Sequence, residues 1–152
     1  MTERKRPTLS TGMFYRDPKA ALKWLEEALG FEASMVVLDP NDNLVHSELW
    51  LGDGMIMVGG EFDDQYKSPG SVGGVNTQHV HIQLQDGIEA AFERATKAGA
   101  TTVRPLADQF YGDRSFTVAD PEGHVWSFGQ TISLMSEVEM ATAGGVVVRE
   151  RI

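Results

Sequence analysis

Residues 108–130 read DQFYGDRSFTVADPEGHVWSFGQ, and this stretch decides the fold. Apolar and polar side chains alternate from Arg114 to Asp120 and again from His124 to Gln130, the period of strands with two unlike faces. Between them Asp120-Pro121-Glu122-Gly123 is a turn by composition, because Pro presets φ and Gly tolerates positive φ. The pair reads as a hairpin in which His124 and Trp126 share a face and pack structurally. The loop ahead of it is different in kind. An arginine beside aromatics, as in Tyr111-Gly112-Asp113-Arg114, can reach over a cavity mouth and grip an anionic or amide group; alternatively Arg114 pairs with Asp113 or Asp108 and only fixes the loop.

Working outward, the hairpin ends a pattern that occurs twice. In DPKAALKWLEEALGF, Ala21, Leu22, Leu25, Ala28 and Leu29 recur at helical spacing, with Pro18 in the first turn and Gly30 at the C-terminal cap. In DGIEAAFERATKAGA, Ile88, Ala91, Phe92, Ala95 and Ala98 make a matching stripe that ends at Gly99. An alternating run precedes each helix, TLSTGMFYRD and then TQHVHIQLQD. Three more follow each: ASMVVLD, LVHSELWLG and MIMVGG, then TTVRPL, RSFTVAD and HVWSFGQ. The order is β-α-β-β-β twice, with Gly30 and Gly99, and Gly54 and Gly123, offset by about 69 positions, so a tandem duplication is the economical reading. Residues 8–60 are expected to form the first module and 77–130 the second. Residues 61–76, rich in Gly, Pro, Ser and Asp, read as a linker or mobile flap, and 131–152 as a tail whose Val146-Val147-Val148 could dock on the domain or on a partner.

The composition narrows the chemistry. A formal charge of -9 argues against a nucleic-acid surface, which needs clustered Lys and Arg. The absence of Cys removes disulfides, thiolate metal sites and cysteine nucleophiles. No run of 18 apolar residues occurs, so neither membrane spanning nor membrane partners are expected, and a cytoplasmic location is. The basic Arg4-Lys5-Arg6 reads as part of a loose, solvated leader. No Ser-His-Asp elbow, phosphate loop or HExxH pattern is present, and GSVGGV precedes a strand instead of opening a helix.

The segments YRDPKAALKWLEEALGFE, HSELWLGDGMIMVG and DQFYGDRSFTVADPEGHVWSFGQ, in these places, resemble the vicinal oxygen chelate superfamily of glyoxalases, bleomycin-resistance proteins and extradiol dioxygenases, and most of all its PhnB-like branch. The resemblance covers Thr8 to Gln130. It implies an α+β fold of two tandem βαβββ modules, each a curved mixed sheet with helices outside and a ligand cavity inside, and it implies homodimers with modules paired within or between chains.

Alternation then assigns faces: Val80, Ile82 and Leu84 go under the helices, while His79, His81 and Gln83 look into the cavity, joined by His46, Glu48 and Trp50. Phe14, Met55, Met57, Phe110 and Tyr111, with Trp50, give aromatic and thioether walls suited to flat or cationic organic molecules. The positions where the resemblance implies metal ligands fall on Ser10, Met57 or its neighbour Val58, His79 and Ser127. Only His79 is a strong donor, so no metal or other cofactor is expected.

The expected function is metal-independent binding or sequestration of a small aromatic or cationic molecule by His46, Glu48, Trp50, His79, His81, Gln83, Phe14, Met57, Phe110, Tyr111 and Arg114. Two alternatives stay open. One is a lyase, isomerase or dioxygenase with a divalent metal displaced onto His46, Glu48, His79 and His81, although His79 and His81 lie roughly 7 Å apart along one strand. The other is a metal-free enzyme with a His acid-base pair.

Overall fold

The alternating runs become eight strands in two sheets, described for residues 4–152 in a computed structural model. Strands β1 (Thr11–Tyr15), β2 (Glu32–Leu38), β3 (Leu44–Leu51) and β4 (Gly54–Gly60), with helix α1 (Pro18–Trp24) after β1, make the first unit. Strands β5 (His79–Leu84), β6 (Thr101–Asp108), β7 (Asp113–Ala119) and β8 (Val125–Thr131), with α2 (Ile88–Lys97) after β5, repeat it, and α3 (Glu137–Gly144) follows. The sheet orders are β1-β4-β3-β2 and β5-β8-β7-β6, with the first strand of each unit parallel to the last and the other pairings antiparallel. This is the α+β, doubled βαβββ architecture.

The helix ends show how the units meet. Asp17 caps α1 by accepting from the Ala20 amide at 3.1 Å, and Pro18 opens it. Its last turn widens into a π-helical turn, Leu25–Leu29, closed by Gly30 at φ 85°. The guanidinium of Arg94, on α2, donates to the free carbonyls of Glu26 and Glu27 at 3.0 and 2.8 Å, and Trp24 Nε1 donates to the Ala98 carbonyl at 3.0 Å. Gly30 is required by its left-handed φ, and a Cβ there would also meet Arg94 Nη1 at 2.8 Å, displacing the guanidinium from the carbonyls it serves. Its counterpart Gly99 has φ 92°. The glycine pairing suggested further along does not hold, because Gly123 at φ 94° makes the turn before β8 whereas Gly52 does that work before β4 and Gly54 begins the strand.

One core serves both units. Met13, Tyr15, Leu49, Ile56 and Val58 from the first sheet and Phe116, Val118, Trp126 and Phe128 from the second are all buried in it. Phe116 stacks on Phe128 at 4.8 Å, and Phe31 meets Trp126 edge-on at 5.5 Å. A polar knot lies at the junction. Tyr15 Oη donates to buried Asp120 at 2.6 Å, Trp126 Nε1 donates to the same oxygen at 3.2 Å, and the amides of Glu122 and His124 satisfy the other oxygen. His124 Nε2 lies 2.7 Å from the Phe14 carbonyl. The Asp-Pro-Glu-Gly turn therefore closes a hairpin and also bolts the two units together.

The stretch between the units is anchored at one point and otherwise mostly exposed. Ser68 and Pro69 are buried, the Gly70 amide donates to the Glu122 carbonyl at 2.9 Å, and Tyr66 stacks on Phe14 at 4.5 Å. Beyond β8 the chain turns back over the β6–β7 loop: the amides of Ile132 and Ser133 donate to the Gly112 carbonyl, and the Phe110 ring rests on Gly144 at the end of α3.

Candidate functional site

In each sheet the residues that alternate with the core residues point to the opposite face. On the first sheet these are Phe14 from β1, His46, Glu48 and Trp50 from β3, and Met55 and Met57 from β4, with Glu48 opposite Met57 and Trp50 opposite Met55. Glu48 and Trp50 are buried although they lie on the face away from the core. Trp50 Nε1 donates to Ser34 Oγ at 3.1 Å, and Ser34 Oγ donates to the Glu48 carbonyl at 3.3 Å, so the bulge in β2 that redirects Ser34 fixes the indole. His46 Nε2 stands 3.5 Å from Glu48 Oε1.

The cover comes from a segment expected to be solvated. Arg6 forms a short ion pair with Glu48, and Arg4 lies over the Trp50 ring at 5.4 Å while also pairing with Glu32 at 3.2 Å. Composition hides this arrangement, because nothing local in Arg4-Lys5-Arg6 distinguishes a docked basic run from a free one. The rest of the expected leader, residues 1–3, lies outside the described residues.

The second sheet presents a hydrophilic face. His79, His81 and Gln83 are exposed, as alternation requires, and His81 and Gln83 join a continuous hydrogen-bond chain. Gln83 Nε2 donates to Asp113 Oδ2 at 3.1 Å and to Thr131 Oγ1 at 3.2 Å, which turns Gln83 Oε1 toward His81 Nε2 at 2.8 Å. His81 thus stands between two partners, Nε2 facing the Gln83 amide oxygen and Nδ1 lying 2.7 Å from Ser127 Oγ. Asp113 and Thr131 were not anticipated as members, and Ser127 only as a lost metal position. The strand period could have found them, since β7 and β8 place Asp113 opposite Thr131 and Ser127 beside His81.

Three expected site residues lie elsewhere. Arg114 is on β7, one position out of phase with Asp113, and faces α2: its guanidinium binds Asp108 at 2.6 Å and makes a short contact with Glu89. Donating to Asp108, and then to Glu89, raises the Arg114 pKa, and the same bonds from Arg114 hold the Asp108 carboxyl below its usual value. The structure thus takes the fixing alternative, with Glu89 as an added partner, in place of an arginine over a cavity mouth. Phe110 and Tyr111 pack edge to face at 5.2 Å at the end of the second sheet, with Phe110 against the tail.

The residues at the metal positions do not fit a metal. Ser10 lies just before β1 and is exposed, Met57 offers a thioether opposite Glu48, and Ser127 is committed to His81. The displaced set is divided between sheets, His46 and Glu48 on the first and His79 and His81 on the second. Among the described residues no three His, Asp or Glu side chains converge into a metal-holding group. A cavity of about 510 Å³ on the helical side, between α1 and the Asp120 turn, contains none of the expected site residues.

The model of the Glyoxalase/Bleomycin resistance protein/Dioxygenase superfamily matches residues 9–128. The chain belongs to that superfamily. An uncharacterized protein of Mycobacterium tuberculosis (strain ATCC 25618 / H37Rv) is 32% identical over 141 residues, covering 90% of this chain and 82% of that protein. Among solved members of this fold, TioX from Micromonospora sp. ML1 is 31% identical with a TM-score of 0.67, over 81% of this chain and 97% of TioX. TnmS3, an antibiotic binding protein from Streptomyces sp. CB03234, superposes with a TM-score of 0.64 at 14% identity, over 86% of this chain and 99% of TnmS3, which establishes likeness of fold. No helix among the described residues is long and apolar enough to cross a membrane.

Proposed function

We propose that this superfamily member binds a small aromatic or cationic molecule on the sheet faces turned away from the core, without a metal, and acts by holding it. The observation that carries the reading is the first face: a buried carboxylate, Glu48, beside a hydrogen-bonded indole, Trp50, across from the thioethers of Met55 and Met57. An aromatic surface with one acid and soft apolar neighbours suits a flat cation. TnmS3 offers a precedent for antibiotic binding on this fold. The hydroxyl- and imidazole-lined second face would supply hydrogen bonds to polar substituents.

The bound form is proposed to be a homodimer. Strand β2 exposes Met35, Val36, Val37 and Leu38 along a sheet edge, an apolar strip that a second copy would cover. Sedimentation analysis at micromolar concentration should give twice 16.7 kDa; a lone 16.7 kDa species would overturn the dimer.

Isothermal titration against cationic glycopeptides and planar cationic dyes tests the binding function, and heat from neither class overturns it. The metal-enzyme alternative has its own readout. Near one equivalent of Zn, Ni, Mn or Fe in protein purified without chelator, lost on His79→Ala, would reverse the ranking.

A further inference from the structure

We propose that Glu48 and Trp50 form a cation subsite which the chain itself fills in the free state, Arg6 on the carboxylate and Arg4 over the indole, and that a planar organic cation binds by displacing both. The inference rests on reading this face as the ligand site, and adds to it a ligand class and a built-in competitor.

The asymmetry of exposure carries the argument. The Glu48 side chain is 7% exposed, whereas that of Arg6 is 63% exposed. A carboxylate held this far from water needs a cation, and the sheet itself offers only His46 at 3.5 Å. The cation is brought instead from 42 positions away, by a segment in which residues 4–10 form neither helix nor strand. With the segment in place, the acid thus stands on a strand under cover, while the guanidinium comes from an irregular segment and keeps most of its own side chain in water. Arg4 behaves alike: its pair with Glu32 joins two exposed side chains, of the weakly stabilising kind, leaving the indole as its more sheltered contact.

A protonated acridine or an aryl amidinium could make the same two contacts, charge on Glu48 and ring on Trp50, while adding apolar area against Met57 that a guanidinium leaves uncovered. A tethered competitor lowers the apparent affinity by the fraction of time the site stands open, so a cover in place nine-tenths of the time weakens binding about 10-fold.

The test titrates proflavine, a planar cation, and phenazine, a neutral planar analogue, into three proteins: the full chain, a chain beginning at Pro7, and the full-length Arg4→Gln/Arg6→Gln variant, which retains the segment. Proflavine should bind about 10-fold tighter to both altered proteins, with phenazine changed less than twofold, and adding Glu48→Gln to the double variant should remove the gain. Equal or weaker proflavine binding after either alteration overturns the competitor. A gain shared by phenazine overturns the assignment to cations. If neither dye binds any of the three, the reading of this face as a ligand site fails, and the inference with it.

Discussion

Trp50 and Arg114 make opposite forecasts from one rule. Both lie on strands, and the parity of each position decides whether the side chain reaches the face turned away from the core or the helix side. Trp50→Ala should weaken a bound planar cation by roughly 5-fold, the equivalent of a cation–π contact of about 1 kcal/mol. Arg114→Ala, which breaks contacts to Asp108 and Glu89 on the far side of the sheet, should change dye affinity less than twofold. Isothermal titration of the two variants checks both, and a larger loss for Arg114→Ala would mean that the faces have been assigned the wrong way round. The alternation of HVHIQL was enough to place His79, His81 and Gln83. For Arg114 the neighbouring aromatics drew the reading toward a cavity mouth, although the Asp108 contact was already one of its two alternatives. Arg4 and Arg6 lay beyond reach because their partners, Glu48 and Trp50, are more than forty positions away, and no local rule joins them.

At the scale of elements, α1 and α2 were legible down to their caps, Pro18, Gly30 and Gly99 standing where the rules for helix ends put them, whereas α3 lies within the stretch read only as a tail. The π-helical turn was not legible: the carbonyls it leaves free, those of Glu26 and Glu27, are taken by Arg94 from more than sixty positions away, a contact with no local signal. The stretch 61–76 read as flap or linker because Gly, Pro and Ser dominate it, yet Pro69 fills a gap beside Gly123 and the Gly70 amide is spoken for by Glu122. The tail yields a sharp test. A Cβ on Gly112 would lie 2.0 Å from the Ser133 carbonyl oxygen, at φ 94°. Gly112→Ala should therefore release the tail from the β6–β7 loop, with backbone strain of about 1 to 3 kcal/mol. Limited proteolysis should then cut near residues 132–136 faster than in the parent chain, while an unchanged rate would show that the tail is not held there.

The molecule as a whole depends on Asp120. Its carboxylate is the sole buried acid joining Tyr15 of the first unit to Trp126 of the second among the described residues, and burial together with Asp120 and Glu122 lifts the Tyr15 pKa so that the phenol stays a donor. Asp120→Ala leaves a hydroxyl and an indole N–H without an acceptor and should cost about 3 to 5 kcal/mol, read as a large fall in Tm. Glu122 adds a pH dependence. Burial alone would raise its pKa, but hydrogen bonds from the Asp17 and Arg16 amides and the Arg16 side chain outweigh burial and hold it low. A lowered folded-state value means the stabilisation is fully present above the ordinary glutamate range and is lost as pH falls through the lower folded-state pKa. Denaturant titrations between pH 7 and 3 should show that loss, blunted in Glu122→Gln; equal acid sensitivity in the variant would remove Glu122 as a cause.

The Tyr15–Asp120–Trp126 knot also bears on how such a chain can change over time. An ancestral half that once paired with identical copies would have had to satisfy its own hydroxyl and indole symmetrically. Here the acceptor and one donor stand in different units, so a chain lacking the second unit would leave the Tyr15 hydroxyl without its acceptor, whereas Asp120 would keep Trp126 and two backbone amides. The dependence is one-sided: the second unit holds its carboxylate satisfied by its own groups, while the first relies on the second for the partner of its buried phenol.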